Sequence, residues 1–151
     1  MLLQTGRWAG RGSLLAEGTS RGLPVTCELD VDRDDDGYTL TGHWQAEGGP
    51  ARDFSLRVAP DDVGTFTLGM RLAGDGLQGS AKLSSAPNLG LLWNDAGTVH
   101  ATFALFLVNG GCGFRGFVRD GERLYTWEVA FALARQPVKG DNVVSLHGRR
   151  R

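Results

Sequence analysis

The chain has 151 residues, a formal net charge of −1 and a pI near 6.3, with basic and acidic residues intermixed. This length predicts one domain with its own core, and this charge balance provides no basic surface for a nucleic acid or an anionic membrane. Glycine is the exception: there are 23, about twice the ordinary usage. In a chain rich in β-forming residues, so much glycine indicates tight turns and bent strands.

The first predicted strand spans residues 2–15. It places Trp8, Gly10, Gly12 and Leu14 on one face and polar residues on the other. A large ring followed by two glycines suits one end of a barrel, because the glycines let the strand bend or let its neighbours pack closely.

Nine further runs alternate apolar and polar residues between turn signals: 23–32, 37–46, 51–59, 65–72, 77–84, 89–94, 98–108, 112–120 and 122–133. The turn signals include Asp75-Gly76, Asn109-Gly110-Gly111 and Asp120-Gly121, since these residue types tolerate positive φ angles. Every connection is short enough for a hairpin, and no segment shows the apolar period of a helix. The pattern predicts an all-β fold, a ten-stranded antiparallel up-and-down barrel closed by pairing of its first and last strands.

The predicted barrel domain covers residues 1–136. Residues 137–151 form a C-terminal segment that could add one short strand at 142–146 before a disordered basic end. The first strand begins within a few residues of Met1, which leaves no room for a secretory signal or a transmembrane span. We therefore expect a cytoplasmic protein in which Cys27 and Cys112 are reduced, buried hydrophobes rather than nucleophiles.

The face of each strand that corresponds to Trp8 is predicted to point inward. The resulting lining is largely aromatic: Tyr38, Trp44, Phe54, Leu56, Phe66, Met70, Trp93, Phe103, Leu105, Phe114, Tyr125, Trp127 and Phe131. It predicts a pocket for a small hydrophobic or aromatic ligand, bound by burial of area at about 25 cal/mol per Å². Alternatively, these side chains fill the barrel as core, and the protein is an interaction module. The assignment depends on register, because a one-residue slip exchanges the two faces.

A second alternative is a small barrel enzyme, an isomerase or cyclase of a lipophilic metabolite, with Glu128, His43 or Arg115 as the acid or base. These residues would act only if they pointed inward, whereas strand alternation predicts that they lie outside, together with Arg57 and Arg71.

The sequence predicts no metal site. His43 and His100 are expected to face outward, and neither has a cysteine or carboxylate at a metal-ligand spacing. The run of residues 32–37, Asp-Arg-Asp-Asp-Asp-Gly, matches the first half of a calcium loop, but its twelfth position would be His43 instead of glutamate. We interpret this run as an acidic turn.

The predicted strand 98–108 is apolar on both faces, which predicts that its outer side is covered. The segment after Pro137 could cover it, or a second subunit could. We expect a homodimer.

The motif Gly6-x-Trp8 resembles the first strand of the calycins, the lipocalin, fatty-acid-binding and avidin group of ligand-holding barrels, in which such a tryptophan closes one end. The resemblance implies that Arg135 is the basic partner that lipocalins lay across that ring. The short loop at 16–22 departs from the helical lid of the fatty-acid-binding proteins.

The longer motif Gly6-x-Trp8-x-Gly10-x-Gly12 resembles that of the nitrobindins, ten-stranded calycin-like haem barrels, as do Asp120-Gly121, Leu124-Tyr125 and an ending of Leu146 with a short arginine run. This resemblance implies haem as a ligand. In nitrobindins a histidine on the final strand ligates the haem iron, but residues 141–146 contain no histidine before His147. The departure argues against haem and leaves the barrel prediction unchanged.

Overall fold

Ten antiparallel strands follow one another in the computed structural model, which describes residues 1–134. Their bounds are Gly6–Ala16 (β1), Leu23–Asp34 (β2), Gly37–Ala46 (β3), Arg52–Pro60 (β4), Phe66–Leu72 (β5), Asp75–Lys82 (β6), Asn88–Trp93 (β7), Val99–Val108 (β8), Gly111–Asp120 (β9) and Arg123–Leu133 (β10). Each strand pairs with the next, and β1 pairs with β10, so the sheet closes on itself. The predicted ten-stranded up-and-down barrel is confirmed.

Several sequence predictions concern residues outside the described range: the short strand at 142–146 with its disordered basic end, the segment after Pro137 as a cover for the strand at 98–108, the basic partner Arg135 and the position of His147. Within residues 1–134 every regular element is a strand, and no helix there is long and apolar enough to cross a membrane.

The core lies inside the barrel, where alternate residues of each strand point. Val31, Val58 and Leu68 are each about 1% exposed. Their strand partners share the inner face, because residues directly opposite each other in a sheet point to the same side.

The turns occur at residues that tolerate positive φ angles. Gly110 and Gly121 have φ angles of 80° and 59° in the β8–β9 and β9–β10 turns, as predicted. The prediction that Asp75-Gly76 forms a turn is wrong: Leu72 pairs with Asp75, and the two-residue turn is Ala73-Gly74, with φ angles of 50° and 98°. This register keeps the apolar residues of β5 and β6 on one inner face.

The seam between β1 and β10 requires glycine at position 12. A Cβ atom there would overlap the backbone oxygen of Glu128 and would lie 2.7 Å from both the carbonyl carbon of Glu128 and the Cα of Val129. Only a residue without a side chain allows the two backbones to approach this closely.

The N-terminal residues Met1–Thr5 cross one end of the barrel, which we call the capped end. The Leu2 amide donates a hydrogen bond to Asn88 Oδ1 at 2.8 Å, and β7 is four strands from β1 around the ring. Leu3 is 4% exposed, and the Trp8 indole donates to the Gln4 carbonyl at 2.8 Å. Residues 2–5 were predicted to belong to the first strand, but they cover that end of the barrel instead.

Candidate ligand-binding site

The structure places most of the predicted lining on the inner face. The pairing of neighbouring strands places the following side chains on the same face as one another and as the buried core residues: Tyr38, Trp44, Phe54, Leu56, Phe66, Met70, Phe103, Leu105, Phe114, Tyr125, Trp127 and Phe131. The sequence pattern therefore assigned the inner face correctly on six of the seven strands that were expected to contribute.

Trp93 is the exception, and its predicted inward orientation is wrong. It pairs with Gln78 and His100 on the outer face, while Leu92 beside it is buried. The strand β7 is apolar on both faces, so alternation alone could not choose between them. The structure turns Gly90 inward, where the ring of Phe103 lies directly over it and leaves no room for a Cβ atom.

Two walls face each other across the barrel. In a ring of ten strands, β4 and β9 are five positions apart, and so are β3 and β8, and β5 and β10. Phe54 on β4 is therefore on the wall opposite Phe114 on β9, and Met70 on β5 is opposite Trp127 on β10. One wall is mixed aromatic and aliphatic, and the other is aromatic.

The aromatic wall is a connected cluster centred on Phe114. Its ring centroid lies 5.8 Å from that of Phe103, 5.3 Å from that of Trp127 and 6.3 Å from that of Phe131. The Phe103 contact is edge-to-face, and all three spacings lie in the range where aromatic pairs attract each other. This cluster holds one wall rigid.

Several of these inner side chains are only partly buried. Leu56, Met70, Phe114 and Trp127 belong to this class, although each lies well inside its strand. A sheet seals its inner face from outside solvent, so an inner side chain retains accessible surface only where the interior leaves space beside it. Part of the barrel is packed as core, and part is accessible.

The Trp127 indole N–H has no hydrogen-bond partner among the described residues, although the nitrogen atom itself is buried. A buried donor without a partner costs about 1–3 kcal/mol, so native proteins usually provide it with an acceptor. Trp127 points inward, so this unsatisfied donor lies within the inner aromatic wall.

The end of the barrel opposite the capped end carries a groove of about 640 Å³, lined by Pro50, Ala51, Arg52, Asp53, Phe54, Ser55, Arg71, Ala73 and Gly74. Arg52 lies opposite Trp44 in the sheet and two residues from Phe54, so it belongs to the inner face at the rim. A smaller cavity of about 140 Å³ lies at the same end, beside the β1–β2 loop. The sequence pattern did not identify Arg52 as an inner-face residue, because a charged residue at a strand end is also typical of a solvated loop. Arg52 is nevertheless an even number of residues from Phe54, which places both on the same face of the strand.

The candidate acid and base residues lie on the outer face, as alternation predicts. Arg115 donates to Glu128 Oε1 at 2.5 Å across β9 and β10, and both side chains are more than half exposed. His43 is exposed and lies between Glu28 and Asp53 in the sheet. The enzyme alternative requires these groups inside the barrel, where the structure does not place them.

The two thiols are buried and free, in accord with their predicted role as hydrophobes. Burial, and secondarily the negative charge of Glu28, raises the pKa of Cys27 to about 12. Burial also raises the pKa of Cys112. Neither thiol therefore ionises near neutral pH, where a nucleophile or metal ligand would need to be a thiolate.

No imidazole ligand for haem iron lies inside the part of the barrel formed by residues 1–134. Haem iron is commonly held by an imidazole or a thiolate. His43 is exposed on the outer face, and His100 contacts the Gly97 carbonyl on the outside. In this part of the chain no group of three or more histidine, cysteine or acidic residues could hold a metal ion.

The acidic run at 32–37 is a turn with its own partner. Asp34 accepts hydrogen bonds from both terminal nitrogens of Arg57, at 2.7 and 2.8 Å, and from the Asp36 amide. The hydrogen bond from Arg57 is the main cause that lowers the pKa of Asp34. The Arg57 guanidinium already neutralises this carboxylate, which supports the interpretation of residues 32–37 as an acidic turn.

Comparison with known proteins adds no relative from which a function could be transferred. No protein-family model matches this chain, and no curated protein matches it. The resemblance to the calycins therefore stays a prediction, and the function has to be argued from the barrel's own residues.

Proposed function

We propose that the protein binds a small hydrophobic or aromatic molecule inside the barrel. The observation that carries the proposal is the partial exposure of inner side chains between two apolar walls. Burial of each 100 Å² of ligand surface there contributes about 2.5 kcal/mol, before the cost of immobilising the ligand.

The proposal includes a cytoplasmic location, supported by Cys27 and Cys112 both being free and buried.

The direct test is a titration with N-phenyl-1-naphthylamine, a neutral aromatic probe whose fluorescence rises in apolar surroundings. Native mass spectrometry of the purified protein checks for a retained ligand in parallel. We expect saturable binding of one probe per barrel, with energy transfer from the inner tryptophans.

Two tryptophan variants form a matched pair for this titration. Trp44→Phe removes part of the inner wall and is expected to weaken probe binding about fivefold, from a loss of roughly 40 Å² of contact. Trp93→Phe makes the same chemical change on the outer face and is expected to leave binding unchanged. No saturable binding to the folded wild-type protein, or equal loss in both variants, would contradict an interior site.

The outer face of β7–β9 favours a second role, contact with another copy of this chain. Leu89 and Leu91 on β7 are 50% and 45% exposed, and Phe117 on β9 is 48% exposed, with β8 between these two strands. Because the closed barrel has no free sheet edge, such a patch can be covered only through side chains. We propose a homodimer through this face.

The three side chains offer on the order of 300 Å² together, whereas a standard interface takes about 800 Å² from each partner. The interface must therefore extend over their neighbours, and we expect a weak dimer. Sedimentation velocity should show association that Phe117→Ser abolishes and the exposed Val63→Ser, in the β4–β5 loop, does not. A strict monomer at high micromolar concentration would refute this role.

A further inference from the structure

We infer that the ligand is an amphipathic anion, with a ring-containing apolar body inside the barrel and a carboxylate- or sulfonate-like group held at the rim by Arg52. The inference rests on the proposed function, since it specifies the chemistry of the molecule that the interior binds.

The first argument is the position of Arg52. Its direct partner across β3 and β4 is the inner-face Trp44, so Arg52 occupies the last inner-face position of β4 at the rim opposite the capped end. Phe54 and Leu56 follow it inward on the same face. Alternate residues of a strand are about 6.6 Å apart, so Arg52 stands about 13 Å from Leu56 along the inner wall. That length matches a body of two or three rings.

The second argument is the charge of the groove. Arg52 and Arg71 both line it, against the single carboxylate of Asp53. The ion pairs in residues 1–134 join Arg7 to Asp30, Arg57 to Asp34 and Arg115 to Glu128. In that part of the chain neither Arg52 nor Arg71 belongs to an ion pair. Arg71 follows the inner-face Met70 and lies on the outer face of β5, so Arg52 is the guanidinium group that is available to an anion at the inner rim.

The third argument is that the opposite end is closed. Met1–Thr5 cross it, with Leu3 and Trp8 buried beneath. A ligand therefore enters and leaves past the groove, where a guanidinium fork can hold two oxygen atoms of a carboxylate or sulfonate. An apolar body without a charge would bind the same walls but would lack this contact.

The test compares two probes with the same aromatic skeleton. 8-Anilinonaphthalene-1-sulfonate carries an anionic group, and N-phenyl-1-naphthylamine does not. We expect the wild-type protein to bind the sulfonate more tightly. Arg52→Gln should weaken sulfonate binding about fivefold, as expected for a charge-assisted contact that is partly exposed to solvent, and should leave the neutral probe unchanged. Arg71→Gln should leave the binding of both probes nearly unchanged, because Arg71 lies on the outer face of β5.

Arg119→Gln is the matched control, because it removes the same charge from an exposed position on the outer face of β9. If the sulfonate binds no better than the neutral probe, or if Arg52→Gln and Arg119→Gln weaken it equally, the rim site is refuted while an interior pocket stands. If neither probe binds the folded protein, the proposed function itself fails. The two failures are thus distinguishable.

Discussion

Substitution of Gly12 by alanine should open the seam that closes the barrel. The added Cβ would lie 2.7 Å from two backbone atoms of β10, where ordinary carbon contacts begin near 3.4 Å. A flexible side chain could rotate away from such an overlap, but here the obstructing atoms are backbone. One extra carbon in a packed interior costs about 1–3 kcal/mol, and we expect the upper end or more because the strands must separate.

The size of this effect is measurable by urea unfolding followed through tryptophan fluorescence. A domain of this kind has a free energy of unfolding of about 5–15 kcal/mol and an m-value of about 2 kcal/mol per molar urea. A loss of about 3 kcal/mol therefore lowers the midpoint by about 1.5 M. The expected result is a lower midpoint with an unchanged m-value.

Gly69→Ala is the matched control. Gly69 lies on the outer face of β5, has no atom within 4 Å of an added Cβ and does not have a positive φ angle. Alanine there should be neutral or stabilising by up to about 1 kcal/mol, because glycine in a strand loses more backbone entropy on folding. Equal midpoints for the two variants would mean that β1 and β10 do not approach as described, and the reasoning would be refuted.

Three further outcomes are expected. Ala73→Gly should raise the free energy of unfolding by up to about 1 kcal/mol, since alanine at a φ of 50° is strained and glycine is not; a lower urea midpoint would contradict this. Leu3→Ala should lower it by about 2–4 kcal/mol through a cavity beneath the capped end, whereas the exposed Val63→Ala should change it by less than about 0.5 kcal/mol in the same assay. Because burial raises the pKa of Cys27 to about 12, the folded state keeps a proton that the unfolded chain loses above pH 9. The stability linked to this thiol is thus complete below pH 9 and is lost as the pH rises toward 12, and Cys27→Ala should reduce that slope in urea titrations at pH 8 to 10.5.

The strands were predictable wherever one face is apolar and the other polar. In β10, Tyr125, Trp127 and Val129 alternate with polar or small residues, so the period of two identified both the strand and its inner face. The same reasoning failed at Trp93, because β7 carries large apolar side chains on both faces. Which face turns inward depends on Phe103 of the neighbouring strand, and a local pattern cannot contain that information.

The site was harder to predict than the fold. The walls follow from alternation, but the covering of one end by Met1–Thr5 depends on a contact with Asn88, which lies far along the chain. The rim position of Arg52 likewise depends on its pairing with Trp44 and on the groove formed with the β5–β6 turn. Both features depend on contacts or pairing between residues that are apart in the sequence. A local sequence pattern does not reveal such pairing, which is set only when the sheet is complete.

The closing pair of strands also has a consequence for how the chain folds. Nine of the ten strand pairs are hairpins between consecutive strands, whereas β1 and β10 join Trp8 to Leu133. During synthesis, β1 therefore keeps an open edge until the last strand has left the ribosome, and the growing end of the sheet is open as well. Open edges recruit other chains, and long-range pairing is slow. We expect closure of this seam to limit the folding rate, and chains that end before β10 to aggregate.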